Sequence, residues 1–184
     1  MNRIRIVAAV LIFAAAAMPA VAGEDRSANN SIFIEGGGPG LAYSLNYERI
    51  FENDFGLRVG FSYLSISATA GSASASATVW TVPILAHYIG LSSGRHSLEL
   101  GGGATVIGFS GSASGFGVSA NGSGPAVLGT AILGYRRQPP EGGFQFRIGV
   151  EALVGKGLAL AEGSRDPDRI GVLPWMYLSL GFSI

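Results

Sequence analysis

A serine, a histidine and an acid are the ingredients of nucleophilic hydrolysis, and this chain offers them in His87, Glu99 and a large supply of serine. Supply is not spacing. Nothing in the pattern sets a serine on the strand-to-helix elbow that such chemistry uses. Asp166 and Asp168, in the run SRDPDR, are two carboxylates where an oxygen-ligated calcium site needs more, so they read as a solvated loop. The glycine runs Gly36–Gly40 (GGGPG) and Gly101–Gly103 lack a phosphate-binding loop's strand–helix setting and read as close packing in strands. With no cysteine there are no disulfides, thiolate metal sites or thiol nucleophiles. No catalytic residue, cofactor site or metal site is assigned, and the chain reads as a non-enzyme.

What remains is a set of charges in an apolar, glycine-rich chain. Charged residues make up 13% of the sequence and apolar ones 48%, with 29 glycines among 184 residues. That charged share is about half of what a soluble domain carries. Twelve basic and twelve acidic residues cancel, so no field of one sign points to nucleic acid. Arg3 and Arg5, the apolar run Ile6–Met18 and the small-residue triplet Ala20-Val21-Ala22 form a signal peptide over residues 1–22. Residues 23–30 follow as a short segment, and one domain occupies 31–184. No later run is apolar enough to cross a membrane as a helix.

From Ser31 onward apolar and polar residues alternate with the period of strands. Leu57, Val59, Phe61 and Tyr63 alternate with Arg58, Gly60 and Ser62; Met176, Leu178, Leu180, Phe182 and Ile184 oppose Tyr177, Ser179, Gly181 and Ser183. Eight such segments are counted, six or ten being poorer fits. Short turns at Glu52–Asp54, Gly90–Arg95 and Gln138–Gly143 take turns with longer segments at Ser65–Val79, Gly108–Gly124 and Gly155–Gly171. This is the layout of an all-β, eight-stranded, antiparallel up-and-down transmembrane β-barrel of a bacterial outer membrane, with the short turns in the periplasm. Tyr43, Tyr47, Tyr63, Tyr88, Tyr135, Trp80 and Phe144 fall near strand ends on the apolar face, where aromatic girdles meet the lipid interface. The opposite face is rich in Gly and Ser, as a narrow interior requires.

The runs GGGPGLAYSLNYERIF, VPILAHY, HSLELGGG, GYRRQPPEGGFQFRIG and VLPWMYLSLGFSI resemble a family of small, mostly uncharacterised outer-membrane β-barrel proteins of Gram-negative bacteria. The resemblance implies the barrel fold and insertion by the barrel-assembly machinery, and it implies no activity. Family members usually end in an aromatic residue; this chain ends in Ile184, with Phe182 two positions earlier on the same face.

Parity puts Glu35, Glu48, Glu99 and Glu151 inside the barrel with Arg58, Arg136, Arg147 and His87. Glu48 and Arg58 are symmetric about Asn53, and His87 and Glu99 about Ser93, so each pair is expected to face across a hairpin. Charges in a narrow bore must be paired, which predicts a plug. The alternatives are a narrow pore for small solutes or, less well supported, a lipid-modifying enzyme. Ser65–Val79 and Gly108–Gly124 carry no charge, and their Ala/Ser alternation reads either as strands continued beyond the bilayer or as flexible loops. The expected role is structural or surface-interacting, for a monomer in contact with outer-membrane lipid and lipopolysaccharide; no surface protein partner is identified.

Overall fold

The computed structural model describes residues 25–115, 118–158, 166 and 168–184. The expected signal peptide, residues 1–22, lies outside them. Eight antiparallel strands close on themselves in sequence order: β1 (Asn30–Gly37), β2 (Tyr43–Phe51), β3 (Phe55–Ala70), β4 (Ala73–Ser93), β5 (His96–Gly115), β6 (Val118–Arg137), β7 (Gly143–Lys156) and β8 (Ile170–Ser183). Closure comes from β1 pairing with β8, Ser31 opposite Ser183 and Gly37 opposite Tyr177. No strand edge is left open at the level of the apolar belt, as lipid demands.

Alternation sets the facing of each strand. Ile32, Ile34, Leu45, Leu57, Val59, Phe61, Ile84, Val127, Ile148, Val150, Leu178 and Leu180 are exposed on the outside, while polar side chains between them are buried. An aliphatic outer surface around a polar interior is the reverse of a water-soluble barrel and is stable only in lipid. The protein is a transmembrane barrel of the bacterial outer membrane.

The strands are staggered. The hydrogen-bonded row that starts at Ser31, near the periplasmic end of β1, runs through Glu48, Arg58, Leu85, Gly103, Thr130 and Leu153 to Leu173. It therefore climbs from one end of the lumen to the other in a single circuit, the tilt that closure imposes. Along it the interior changes from polar and charged to aliphatic.

Turn chemistry fixes the periplasmic rim. Glu52 and Asn53 both have positive φ, 50° and 63°, with the Asp54 amide donating to the Phe51 carbonyl at 3.2 Å. Positive φ at both central residues of the Phe51–Asp54 turn gives a twist that suits a hairpin, here within a three-residue connection because Phe51 pairs with Phe55, and asparagine tolerates it. β4 and β5 turn at Gly94-Arg95, later than the sequence suggests, and a register shift lies between Tyr88 and Leu91. The outer turn between β1 and β2 is a single 3-10 turn, Gly38–Gly40, folded inward and buried.

Three strands are far longer than the 9–11 residues a membrane strand needs. β4 has 21 residues and β5 and β6 have 20 each. The segments Ser65–Val79 and Gly108–Gly124 are thus largely strand, in a four-stranded sheet that continues β3–β6 beyond the bilayer. Their Ala/Ser alternation is compatible with a strand or a flexible loop, and cross-strand pairing makes them strands.

The lumen and the protruding sheet as candidate functional sites

All eight ionisable residues that parity assigns to the lumen are buried there. They form two groups. In the lower group the Arg136 guanidinium donates to both Glu48 carboxylate oxygens, and Arg147 pairs with Glu99 through Nε at 2.9 Å and through Nη2. His87 lies between them, its Nε2 3.1 Å from Glu48 Oε2 and 3.2 Å from Arg136 Nη1, its Nδ1 3.9 Å from Glu99 Oε1. Two guanidiniums thus face two carboxylates around one imidazole. In the upper group Arg58 Nη1 meets Glu35 Oε2 at 2.8 Å, and the Ser179 hydroxyl donates to the same oxygen at 2.7 Å. Glu151, buried on β7, has no hydrogen-bond partner at either carboxylate oxygen.

Two expected pairings are corrected. Glu48 and Arg58 are opposite each other in the β2–β3 register, as symmetry about Asn53 requires, yet their side chains take other partners. Long side chains inside a barrel reach toward the axis, where the opposite wall offers a better approach than the neighbouring strand. His87 lies opposite Gly101, not Glu99, because the β4–β5 turn is displaced and the ladder shifts once. Contact between His87 and Glu99 survives only at 3.9 Å.

Alternation alone did not single out the aromatic and amide groups that complete this packing. Phe33 is fully buried, with the Arg147 guanidinium 4.6 Å and the Arg58 guanidinium 5.7 Å from its ring centre. A cation over a desolvated ring contributes about 2 kcal/mol or more. Phe33 lay in a weakly alternating segment, but its parity with Glu35 was a usable signal. At the periplasmic end the Gln138 amide donates to Ser31 at 3.0 Å and Ser183 at 2.8 Å. The N-terminal segment crosses beneath, with Ser27 and Ala28 amides donating to the Pro140 carbonyl and the Ile50 amide to Asn29. At the outer end Ile107, Leu128 and Leu153 form an aliphatic layer against Leu41, Val79, Ala126, Leu158 and Leu173.

A hydrolytic reading finds no support in this geometry. His87 spends its ring on Glu48 and Arg136, and no serine hydroxyl is among its hydrogen-bond partners within the described residues. The one segment with Gly-x-Ser-x-Gly spacing, Gly90–Gly94, is the end of β4, where Ser92 pairs with Ser97 and a hairpin follows instead of a helix. His96 is on the periplasmic rim, its Nδ1 2.6 Å from the Tyr135 hydroxyl. Asp168 pairs with Lys156 at 3.0 Å in an exposed bridge.

The second candidate is the sheet outside the bilayer. Its polarity inverts across one hydrogen-bonded row, Tyr63–Trp80–Gly108–Pro125. Below the row the outer face is apolar. Above it the same face presents Ser65, Ser67, Thr69, Ser74, Ser76, Thr78, Ser110, Ser112 and Ser114, while the lumen-side parity turns to Leu64, Ile66, Ala68, Val79 and Phe109. Hydroxyls bond across strands, Ser65 to Thr78 at 3.0 Å, Ser74 to Ser114 at 3.0 Å and Ser76 to Ser112 at 2.9 Å. The Trp80 indole lies over Gly108, where a Cβ would strike it, and the Tyr43 hydroxyl donates to the Tyr63 carbonyl. These aromatic residues mark the outer lipid boundary. Beyond Phe61 nothing in β2 pairs with β3, and β7 pairs with β6 only from Gly129, so the sheet has two free edges among the described residues.

No family model and no curated protein matches the sequence. Among solved structures the chain is similar to the N-terminal β-barrel domain of Pseudomonas aeruginosa OprF, at 12% identity and a TM-score of 0.50, with 86% of this chain and 100% of that one covered. It is also similar to Ail, the attachment invasion locus protein of Yersinia pestis, at 18% identity and a TM-score of 0.49, covering 85% and 97%. A further match is Neisserial surface protein A, at 13% identity and a TM-score of 0.44, covering 85% and 93%. At these identities the likeness is one of fold.

Proposed function

We propose that this protein is a closed outer-membrane anchor that works through the sheet it holds above the bilayer, as a surface-interaction or structural component and not as a conduit. The observation that carries the reading is the continuation of β3–β6 past the aromatic boundary as a charge-free sheet with hydroxyls on one face and two edges that pair with no strand among the described residues. Free edges expose unpaired backbone donors and acceptors, a template for strand addition by a partner. The absence of Lys, Arg, Asp and Glu from the sheet removes a common device that blocks such pairing. The lumen supports the anchor half of the proposal: cross-paired charges fill it, with an amide floor below and an aliphatic layer above.

The test is site-directed photocrosslinking on intact cells. A photoreactive residue at Ser67 or Ser123, on the two edge strands, is expected to capture a discrete protein, and one at Ser76 on an inner strand much less. Adducts to lipopolysaccharide alone from all three positions would remove the surface-interaction role and leave a structural one.

A further inference from the structure

The two charged groups of the lumen are unequal. The lower one balances, with Glu48 and Glu99 against Arg136 and Arg147. The upper one does not: Arg58 pairs with Glu35 through Nη1, its Nε and Nη2 have no hydrogen-bond partner, and neither does the Glu151 carboxylate. Glu151 is 4% exposed, and both its oxygens lack a partner.

The neighbouring strands bring further oxygens without partners. Thr130 on β6 is two residue pairs along the ladder from Glu151, diagonal to it on the same face, since Ile132 is opposite Glu151 and Thr130 opposite Leu153. Thr105 on β5 is diagonal to Thr130, whose own partner is Gly103. Both threonines face the lumen, 0% and 6% exposed, and neither hydroxyl has a hydrogen-bond partner. Above them the Ile107–Leu128–Leu153 layer separates this level from the outside. An isolated carboxylate with two buried hydroxyls is a costly arrangement in a confined interior.

We propose that Glu151, Thr105 and Thr130 form an occluded site for one small hard monovalent cation, of the sodium or potassium class. An oxygen-only donor set selects hard cations over the softer metals that histidine and sulfur take. A single positive charge restores balance to the upper group. The cation is a structural counter-ion enclosed when the barrel closes, and the site is independent of any partner at the protruding sheet.

The experiment is thermal unfolding of the full-length mature barrel, refolded in detergent in sodium chloride, potassium chloride or choline chloride at matched ionic strength. A saturable rise in Tm with sodium or potassium, relative to choline, is expected for the wild type and its absence for Glu151→Gln. Thr105→Val and Thr130→Val, which retain the carboxylate, are expected to raise the half-saturating salt concentration about tenfold each, the loss of roughly one oxygen ligand. They also keep the test decisive if Glu151→Gln does not fold. Equal Tm values in all three salts would overturn the proposal and leave a proton or water as what satisfies Glu151. A saturable shift that persists unchanged in Glu151→Gln, or half-saturation unchanged in both threonine variants, would place any bound cation elsewhere.

Discussion

Partner choice in the lumen is decided at the axis and not along the wall. Arg58 has Glu48 opposite it in the ladder and Glu35 at its guanidinium; Glu48 takes Arg136 from β6. Removing one member of such a pair strands a buried charge, at a cost of about 3–5 kcal/mol. Double-mutant cycles on unfolding in lipid should therefore show strong coupling for Glu35 with Arg58 and for Glu48 with Arg136. Glu48 with Arg58 should be additive to within about 0.5 kcal/mol. Coupling confined to Glu48 and Arg58 would show that the ladder neighbour wins. The sequence carried the period-two facing of these residues and the hairpin symmetry about Asn53, since both are local properties. It carried nothing about which distant strand lies across the bore, because that depends on stagger. The second hairpin departs from symmetry about Ser93 for a local reason: the turn at Gly94-Arg95 and the shift between Tyr88 and Leu91 leave the alternation of either strand almost unchanged.

At the scale of elements, the informative feature is that one strand changes environment partway along. β4 runs from Tyr88 and Ile84, facing lipid, to Ser76 and Ser74, facing water, without changing parity. The row through Tyr63 and Trp80 divides the two. An arginine below that row must cross into hydrocarbon, while one above it stays in water. Ile84→Arg is expected to cost about 2–4 kcal/mol in unfolding from lipid vesicles, and Ser76→Arg roughly 0–1 kcal/mol. Equal costs would put the lipid boundary elsewhere and make the long strands part of the spanning barrel. The apolar belt was legible in the sequence because alternating Leu, Val and aromatic residues state it strand by strand. The protruding sheet was legible only as one of two readings. Ala, Ser and Gly favour neither a strand nor a loop by propensity, and cross-strand register between segments some 40 residues apart is what makes them a sheet.

Taken whole, the molecule is a staggered ring of eight strands, four of which, β3–β6, continue beyond the membrane. Its stagger carries a single hydrogen-bonded row from the charged lower lumen to the aliphatic upper layer, so every level of the bore receives side chains from all around the wall. Side chains pack across the interior at three levels, the Gln138 amide below, the arginine–glutamate layer around Phe33, and the Ile107–Leu128–Leu153 layer above, and under the proposed function this packing is a plug. The central claim is that the barrel is an anchor and not a pore. The most direct measurement is single-channel recording of the purified protein in planar bilayers, beside a variant with the Glu48–Arg136 and Glu99–Arg147 pairs replaced by alanine. The account predicts no resolved conductance steps for the wild type and the appearance of small steps once the charged layer is emptied. Stable, ohmic conductance of the wild type with the layer intact would contradict it, and would make the lumen, not the sheet, the working part of the protein.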